Sequence, residues 1–186
     1  MYHRRREHID KVFRTVAATT AEHMAHAMAV RSICFLEERG FAFGQEFDGN
    51  DYHASHFVMY ADNEPIGTCR VRWFSGFARI EKMAFRVSYR GFNILRLFTG
   101  AVFSHVAQKG YSKLIAVADE EYSRLWERLL GFKKIPGRVL AKPGRNSPYY
   151  ELVKELGRPS DTVDELSPPE VLFRIEGAWN VPGTFG

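Results

Sequence analysis

The chain has little cysteine. Two thiols in 186 residues, Cys34 and Cys69, with no CxxC pair, leave no disulfide framework to build. They read as small buried hydrophobes and predict a reduced, cytoplasmic setting. No apolar run approaches the ~20 residues that cross a bilayer. The basic start, His3-Arg4-Arg5-Arg6-Glu7-His8, is followed by no apolar segment, so it does not read as a secretory leader. Repeats and low-complexity tracts are missing. Neither sign of charge dominates: 26 Lys and Arg face 22 Asp and Glu. The small positive balance suits anionic ligands, and nucleic acid is not expected as a partner. A nucleic-acid reading would rest on Arg4 to Arg6 alone and would require steeply salt-dependent binding.

What is present is an ordinary globular composition, 45% hydrophobic and 26% charged, in a chain long enough to bury one full core. The stretch that organises it runs from Ile80 to Leu95. Ile80 to Val87 has the character of a strand, Tyr89-Arg90-Gly91 breaks it, and helical spacing follows at Ile94, Leu95, Leu97, Phe98, Ala101, Val102 and Val106. A strand that turns through glycine into a helix presents free N–H groups at the helix start. With the helix dipole they make a site for phosphate or pyrophosphate, and Arg90 and Arg96 add charge.

Ahead of it, Ile9 to Val16 carries a weak helical pattern, and Thr19-Thr20-Ala21-Glu22 predicts the cap of a long helix ended by Gly40. A polar loop, Gln45 to Tyr52, leads into strands at Ser55–Ala61, Ile66–Phe74 and Phe77–Val87, an antiparallel meander. After the helix Asn93–Gln108 come a strand Lys113–Ala118, a helix Glu120–Leu130 stopped by Gly131, and strands Phe132–Ile135 and Tyr149–Lys154, joined by a basic Pro/Gly loop. From Gly157 periodicity fades and prolines gather. This divides the chain into a basic arm or short helix (1–18), a main domain (19–156) and a Pro-containing extension (157–186). His53 and His56 read as surface histidines, His23 and His26 as polar-face residues, and no metal ligand set is evident. Ser88 and Ser104 have no triad partners.

Met83-Ala84-Phe85-x-Val87-x-Tyr89-Arg90-Gly91 resembles motif A of the GNAT acyltransferases, L-A-V-x-P-x-Y-R-G-x-G-x-G/A. Where that family prefers glycine this chain has Asn93 and Leu95, and the Leu95 side chain is expected in the core. The order of elements is shared as well. The family's last helix typically ends in a Y-x-x-x-G-F-like signature. Here the run is Leu125-Trp126-Glu127-Arg128-Leu129-Leu130-Gly131-Phe132, without the tyrosine and with Trp126 as a core or pocket-wall residue. The resemblance implies an α+β fold: a mixed, mostly antiparallel twisted sheet flanked by helices, with a V-shaped splay between strands 4 and 5. It also implies coenzyme A, as acyl-CoA, held by Met83, Ala84, Phe85, Arg90, Gly91, Phe92, Asn93, Ile94, Leu95 and Arg96.

A second resemblance is narrower. Val30-Arg31, Phe35-x-Glu37-Glu38, Glu46-x-Asp48-x-x-Asp51-x-x-Ala54-x-His56, Gly67-Thr68-x-Arg70 and Ile80-Glu81-Lys82-Met83 together look like the branch with the acyl-homoserine-lactone synthases and N-acyl amino acid synthases. It implies a substrate-binding set of Arg31, Glu46, Asp48, Arg70 and Trp126, with Glu46, Asp48 and Asp51 as carboxylates for an ammonium group and Arg31 or Arg70 as the partner of a carboxylate. The expected activity is N-acyl transfer from acyl-CoA, or from the phosphopantetheine arm of an acyl carrier protein, to a small amine such as an amino acid. Asn93, Leu95 and the nearby Phe85, Phe92 and Phe98 tilt the donor toward a longer chain and the carrier protein. Glu81 is the expected general base, in an apolar setting. A catalytically silent acyl- or CoA-binding module is the alternative, and a homodimer is left open.

Overall fold

The computed structural model describes residues 11–141 and 147–184. The basic cluster His3–His8 and most of the Pro/Gly loop after Ala141 lie outside the described residues. Among the described residues, seven strands form one sheet in the order β1-β2-β3-β4-β5-β7-β6. They are β1 (Phe13–Ala17), β2 (Ala54–Ala61), β3 (Glu64–Phe74), β4 (Phe77–Phe85), β5 (Lys113–Asp119), β6 (Lys133–Leu140) and β7 (Tyr149–Glu155). The helices are α1 (Ala21–Arg31), α2 (Phe43–Glu46), α3 (Phe92–Gln108), α4 (Glu120–Leu130) and α5 (Pro169–Leu172). The content is α+β. The contacts divide the chain into two compact units, Met1–Val71 with Lys82–Phe98, and Arg72–Glu81 with Thr99–Gly186.

In the first unit, the weak helical pattern before Val16 gives way to a strand. Phe13, Thr15 and Val16 are β-formers, and the segment pairs antiparallel with β2 from Phe13↔Ala61 to Ala17↔Phe57; ladder bonds outweigh a faint period. Thr20 caps α1, its hydroxyl accepting from the His23 N–H at 3.1 Å. The helix then widens into a π-helical stretch, Ser32–Glu37, and Gly40 ends the run with φ +63°. Ala27, Val58 and Tyr60 form one core cluster with Val16 against it, and Val30, Cys34, Phe35 and Ala84 another. His23 and His26 are half-buried beside the Tyr60 ring rather than on a polar face, with His26 Nδ1 2.9 Å from the Tyr60 hydroxyl.

In the second unit, β4 and β5 run parallel, pairing Ala78 with Leu114 and Arg79 with Ile115. β5 pairs along its whole length with β7. β6 extends to Leu140, beyond the expected Ile135, with an irregularity between Lys134 and Val139. Pro136 has no N–H for the ladder there, and Gly137 takes φ +73°. Asp119 caps α4 by accepting from the Tyr122 N–H at 3.0 Å, and Gly131 closes it at φ +72°. Residues after Glu155 pack on the C-terminal half of α3. The Val163 N–H donates to the Gln108 carbonyl at 2.7 Å. Glu176 accepts from His105 Nε2 at 2.6 Å and from Lys109 Nζ at 2.9 Å, and the Trp179 indole donates to His105 Nδ1 at 3.1 Å.

Candidate active site

β4 ends at Phe85. The chain then takes one tight turn over Val87–Tyr89 and enters α3 at Phe92. Met83 and Phe85 are half-buried, and Ala84 is buried. The Phe85 ring meets the fully buried Phe98 edge-on at 5.3 Å. It also lies across Gly67 of β3, where a Cβ would come within 2.4 Å of the ring. That is the close approach only glycine permits.

The start of α3 is open. A Cβ on Gly91 would meet nothing within 4 Å, and Phe92, Asn93 and Arg96 are exposed. The first N–H groups of a helix have no intrahelical acceptor, so they face outward here. Ile94 and Leu95 are half-buried, so Leu95 only partly meets the expectation of a core position; Phe98, one turn on, takes it. Arg90 is engaged elsewhere: its Nε donates to the Phe85 carbonyl at 2.8 Å and its guanidinium pairs with Glu38.

Arg31, Glu46, Asp48 and Arg70 come together. Arg31 and Glu46 are fully buried and paired, and the same guanidinium donates to the Glu46 carbonyl at 2.8 Å and to Asp51 Oδ1 at 2.6 Å. Arg70 holds both oxygens of Asp48 at 2.8 Å and reaches Asp51 at 2.9 Å. Lys82 Nζ donates to Glu46 Oε2 at 3.2 Å. Three carboxylates thus meet three cations, each carboxylate facing at least two of them. A charge buried without such partners would cost several kcal/mol. The Arg70 fork holds the Asp48 carboxyl far below the usual range. Burial alone would raise that of Asp51, but Arg31 and Arg70 outweigh it, and it sits low.

Sequence reasoning offered Asp51 to an ammonium group and gave Lys82 and His56 no part in this network. Asp51 bridges the two arginines. Lys82 supplies the third cation with φ +52° inside a strand, an angle that costs a residue with a Cβ about 1 kcal/mol or more. His56 is not a surface histidine. It is 1% exposed, with Nε2 donating to the Asp51 carbonyl at 3.1 Å, and burial lowers its pKa. The G-T-x-R strand and E-x-D-x-x-D loop were legible signals. Lys82 and His56 stand in the same resemblance, but only the folded backbone brings them into the network.

Glu81 pairs with Arg79 at 3.0 Å and lies 3.8 Å from Arg72. Its setting is cationic, not the apolar one expected for a base. Trp126, 9% exposed, packs on Phe132 at 5.0 Å between ring centroids, as a core or wall residue would.

A family model described as acetyltransferase (GNAT) family matches residues 20–132, well over half of the chain. The chain belongs to the GNAT acetyltransferase family. It is similar to a protein of Bacillus subtilis (strain 168) assigned as an acetyltransferase, with 29% identity over 61% of this chain and 80% of that one. A solved structure from Lactobacillus plantarum, assigned as an N-acetyltransferase, superposes with a TM-score of 0.71 at 25% identity, over 78% of this chain and 99% of that one. The structure of FeeM, an N-acyl amino acid synthase from uncultured soil microbes, superposes with a TM-score of 0.64 at 15% identity, over 78% of this chain and 92% of that one; at that identity the likeness is one of fold. As a GNAT member the protein is an acyltransferase. No helix among the described residues is long and apolar enough to cross a membrane, and no group of three or more His, Cys, Asp or Glu among them could hold a metal ion.

Proposed function

We propose that the protein is an N-acyltransferase that moves an acyl group from acyl-CoA to a small amine, with an amino acid as the favoured acceptor class. The observation that carries this is the exposed start of α3 directly after the Met83–Phe85 strand end, in a family that typically uses acyl-CoA. The outward N–H groups of Phe92, Asn93 and Ile94 and the exposed Arg96 would hold the pyrophosphate. Phe85 and Leu95 offer half-buried apolar surface to the acyl arm. Arg90, spent on Glu38, shapes the loop and lends the phosphate less than a free arginine would.

The bound donor supplies a thioester carbonyl, which the amine nitrogen attacks as the carbon–sulfur bond breaks and the thiol leaves. Glu81 takes the proton that the ammonium must lose. A backbone N–H of Met83–Phe85 polarises the carbonyl. Within the carboxylate cluster, Asp48 has a side chain 32% exposed while Arg31, Glu46 and Arg70 stay within 1%. Asp48 is therefore the member an acceptor's ammonium can touch, and Arg31, Glu46 and Arg70 hold it in place.

The test is thermal shift with acyl-CoAs of increasing chain length, followed by thiol release with a panel of amines. A saturating donor raises Tm, because it binds only the folded form. Glu81→Gln should cut kcat by about 10²- to 10⁴-fold with donor affinity kept. A carrier-protein donor would show as turnover with acyl carrier protein and none with acyl-CoA. Unchanged turnover in Glu81→Gln removes that residue as the base, and no thiol release with any amine removes the reading.

A further inference from the structure

Two residues other than glycine have positive φ among the described residues, Asp62 and Lys82. Asp62 sits at a turn, where a short polar side chain tolerates the angle. Lys82 sits inside β4, immediately before Met83, Ala84 and Phe85. A lysine has no local hydrogen bond to favour that angle, and such outliers persist only where their surroundings hold them.

What holds this one is at the far end of the side chain. Lys82 Nζ donates to the Gln45 carbonyl at 2.7 Å and to Glu46 Oε2 at 3.2 Å, and lies 4.0 Å from Asp48 Oδ2. Glu46 is fully buried, with Arg31 on one carboxylate oxygen and Lys82 on the other. The ammonium is thus drawn to a fixed point by a carboxylate that cannot move. Past Lys82 the strand regains its course, and the Arg86 N–H donates to the Ile66 carbonyl at 2.9 Å.

We infer that Lys82 is a positioning residue: its ammonium ties the buried Arg31–Glu46 pair to β4 and holds the backbone turn that aims the groups of Met83, Ala84 and Phe85. This rests on those three residues receiving the thioester arm. A rigid cluster on one side then sets the direction of N–H groups on the other. It also explains a lysine at this place, since its stem spans the gap and three hydrogens serve two acceptors.

Three variants test it. Lys82→Met keeps the stem without the charge, Lys82→Gly frees the backbone angle without the ammonium, and Lys82→Arg keeps a cation. Amide hydrogen exchange across Met83–Arg86 should speed up about tenfold or more in Lys82→Met and Lys82→Gly, as a local opening becomes easier. With donor and amine, kcat should fall about ten- to a hundredfold as the polarising N–H is misaligned, while the KM for donor, set at the α3 start, changes little. Lys82→Arg should recover most of both. Wild-type exchange and kcat in Lys82→Gly would overturn the inference, because the angle would then be the backbone's own. If Lys82→Met does not fold, the Gly and Arg variants decide. If the wild type turns over no amine, the acyl-transfer reading fails, and the exchange rates alone still decide the role of Lys82.

Discussion

Replacing Gly67 with alanine is a direct probe of how the end of β4 is seated. The added Cβ would lie 2.4 and 2.5 Å from two carbons of the Phe85 ring and 3.5 Å from the Ala84 carbonyl oxygen. Carbon atoms in contact settle near ~3.5–4.0 Å, so the ring must retreat by roughly 1 Å or more. It cannot do so freely, because Phe98 stands edge-on behind it with no exposed surface. Overpacking of this kind costs about 1–3 kcal/mol. In a chain of this length that lowers Tm by roughly 2–10 °C. Thermal melts followed by circular dichroism give the number. The decisive form is a double-mutant cycle with Phe85→Val, which removes both clashing carbons. In that background Gly67→Ala should cost close to nothing, leaving a coupling of about 1–3 kcal/mol. An equal penalty in both backgrounds would show that Phe85 is not what forces glycine at position 67, and the packing argument would be wrong.

Other consequences are simpler to state. Arg31→Met strands Glu46 and Asp51 beside the remaining cations and should cost about 3 kcal/mol or more in urea unfolding; a loss under 1 kcal/mol would mean that Lys82 and Arg70 neutralise the cluster alone. Glu176, held by His105 and then Lys109, has its pKa lowered from 4.5 to about 2. Its contribution is therefore full above pH 4.5 and lost as pH falls toward 2. The shift corresponds to roughly 3 kcal/mol by linkage, which screening at a side chain 35% exposed cuts to about 1–2. The stability gap between wild type and Glu176→Gln should close across that window, and a gap independent of pH would count against the pairing.

Much of the architecture was legible because it is written locally. Thr20, Gly40 and Gly131 cap or close helices through hydrogen bonds and backbone angles that belong to their own segments. The E-x-D-x-x-D loop and the G-T-x-R strand were likewise readable, and they do meet. What they meet as was not readable. Carboxylates that seemed free to hold an ammonium are paired with the chain's own arginines, and Asp48 keeps the most exposed surface of the three, a fact of distance and not of spacing. β1 escaped because five residues have too short a period to read, and the partner strand that defines them lies some forty residues on. The irregular β6 follows the same logic: a Pro-Gly pair reads as a turn until a neighbouring strand bridges it.

The segment after Glu155 leaves the ribosome after α3, and Glu176 and Trp179, which fasten it to that helix, follow His105 by 71 and 74 residues. Until they emerge, the far end of α3 must wait with His105 and Lys109 unoccupied by their eventual partners. A protease that trims the finished protein behind Arg174 would recreate that nascent condition. Intact and clipped molecules should then differ first in the lifetime of this helix end, long before any difference in sheet content is visible.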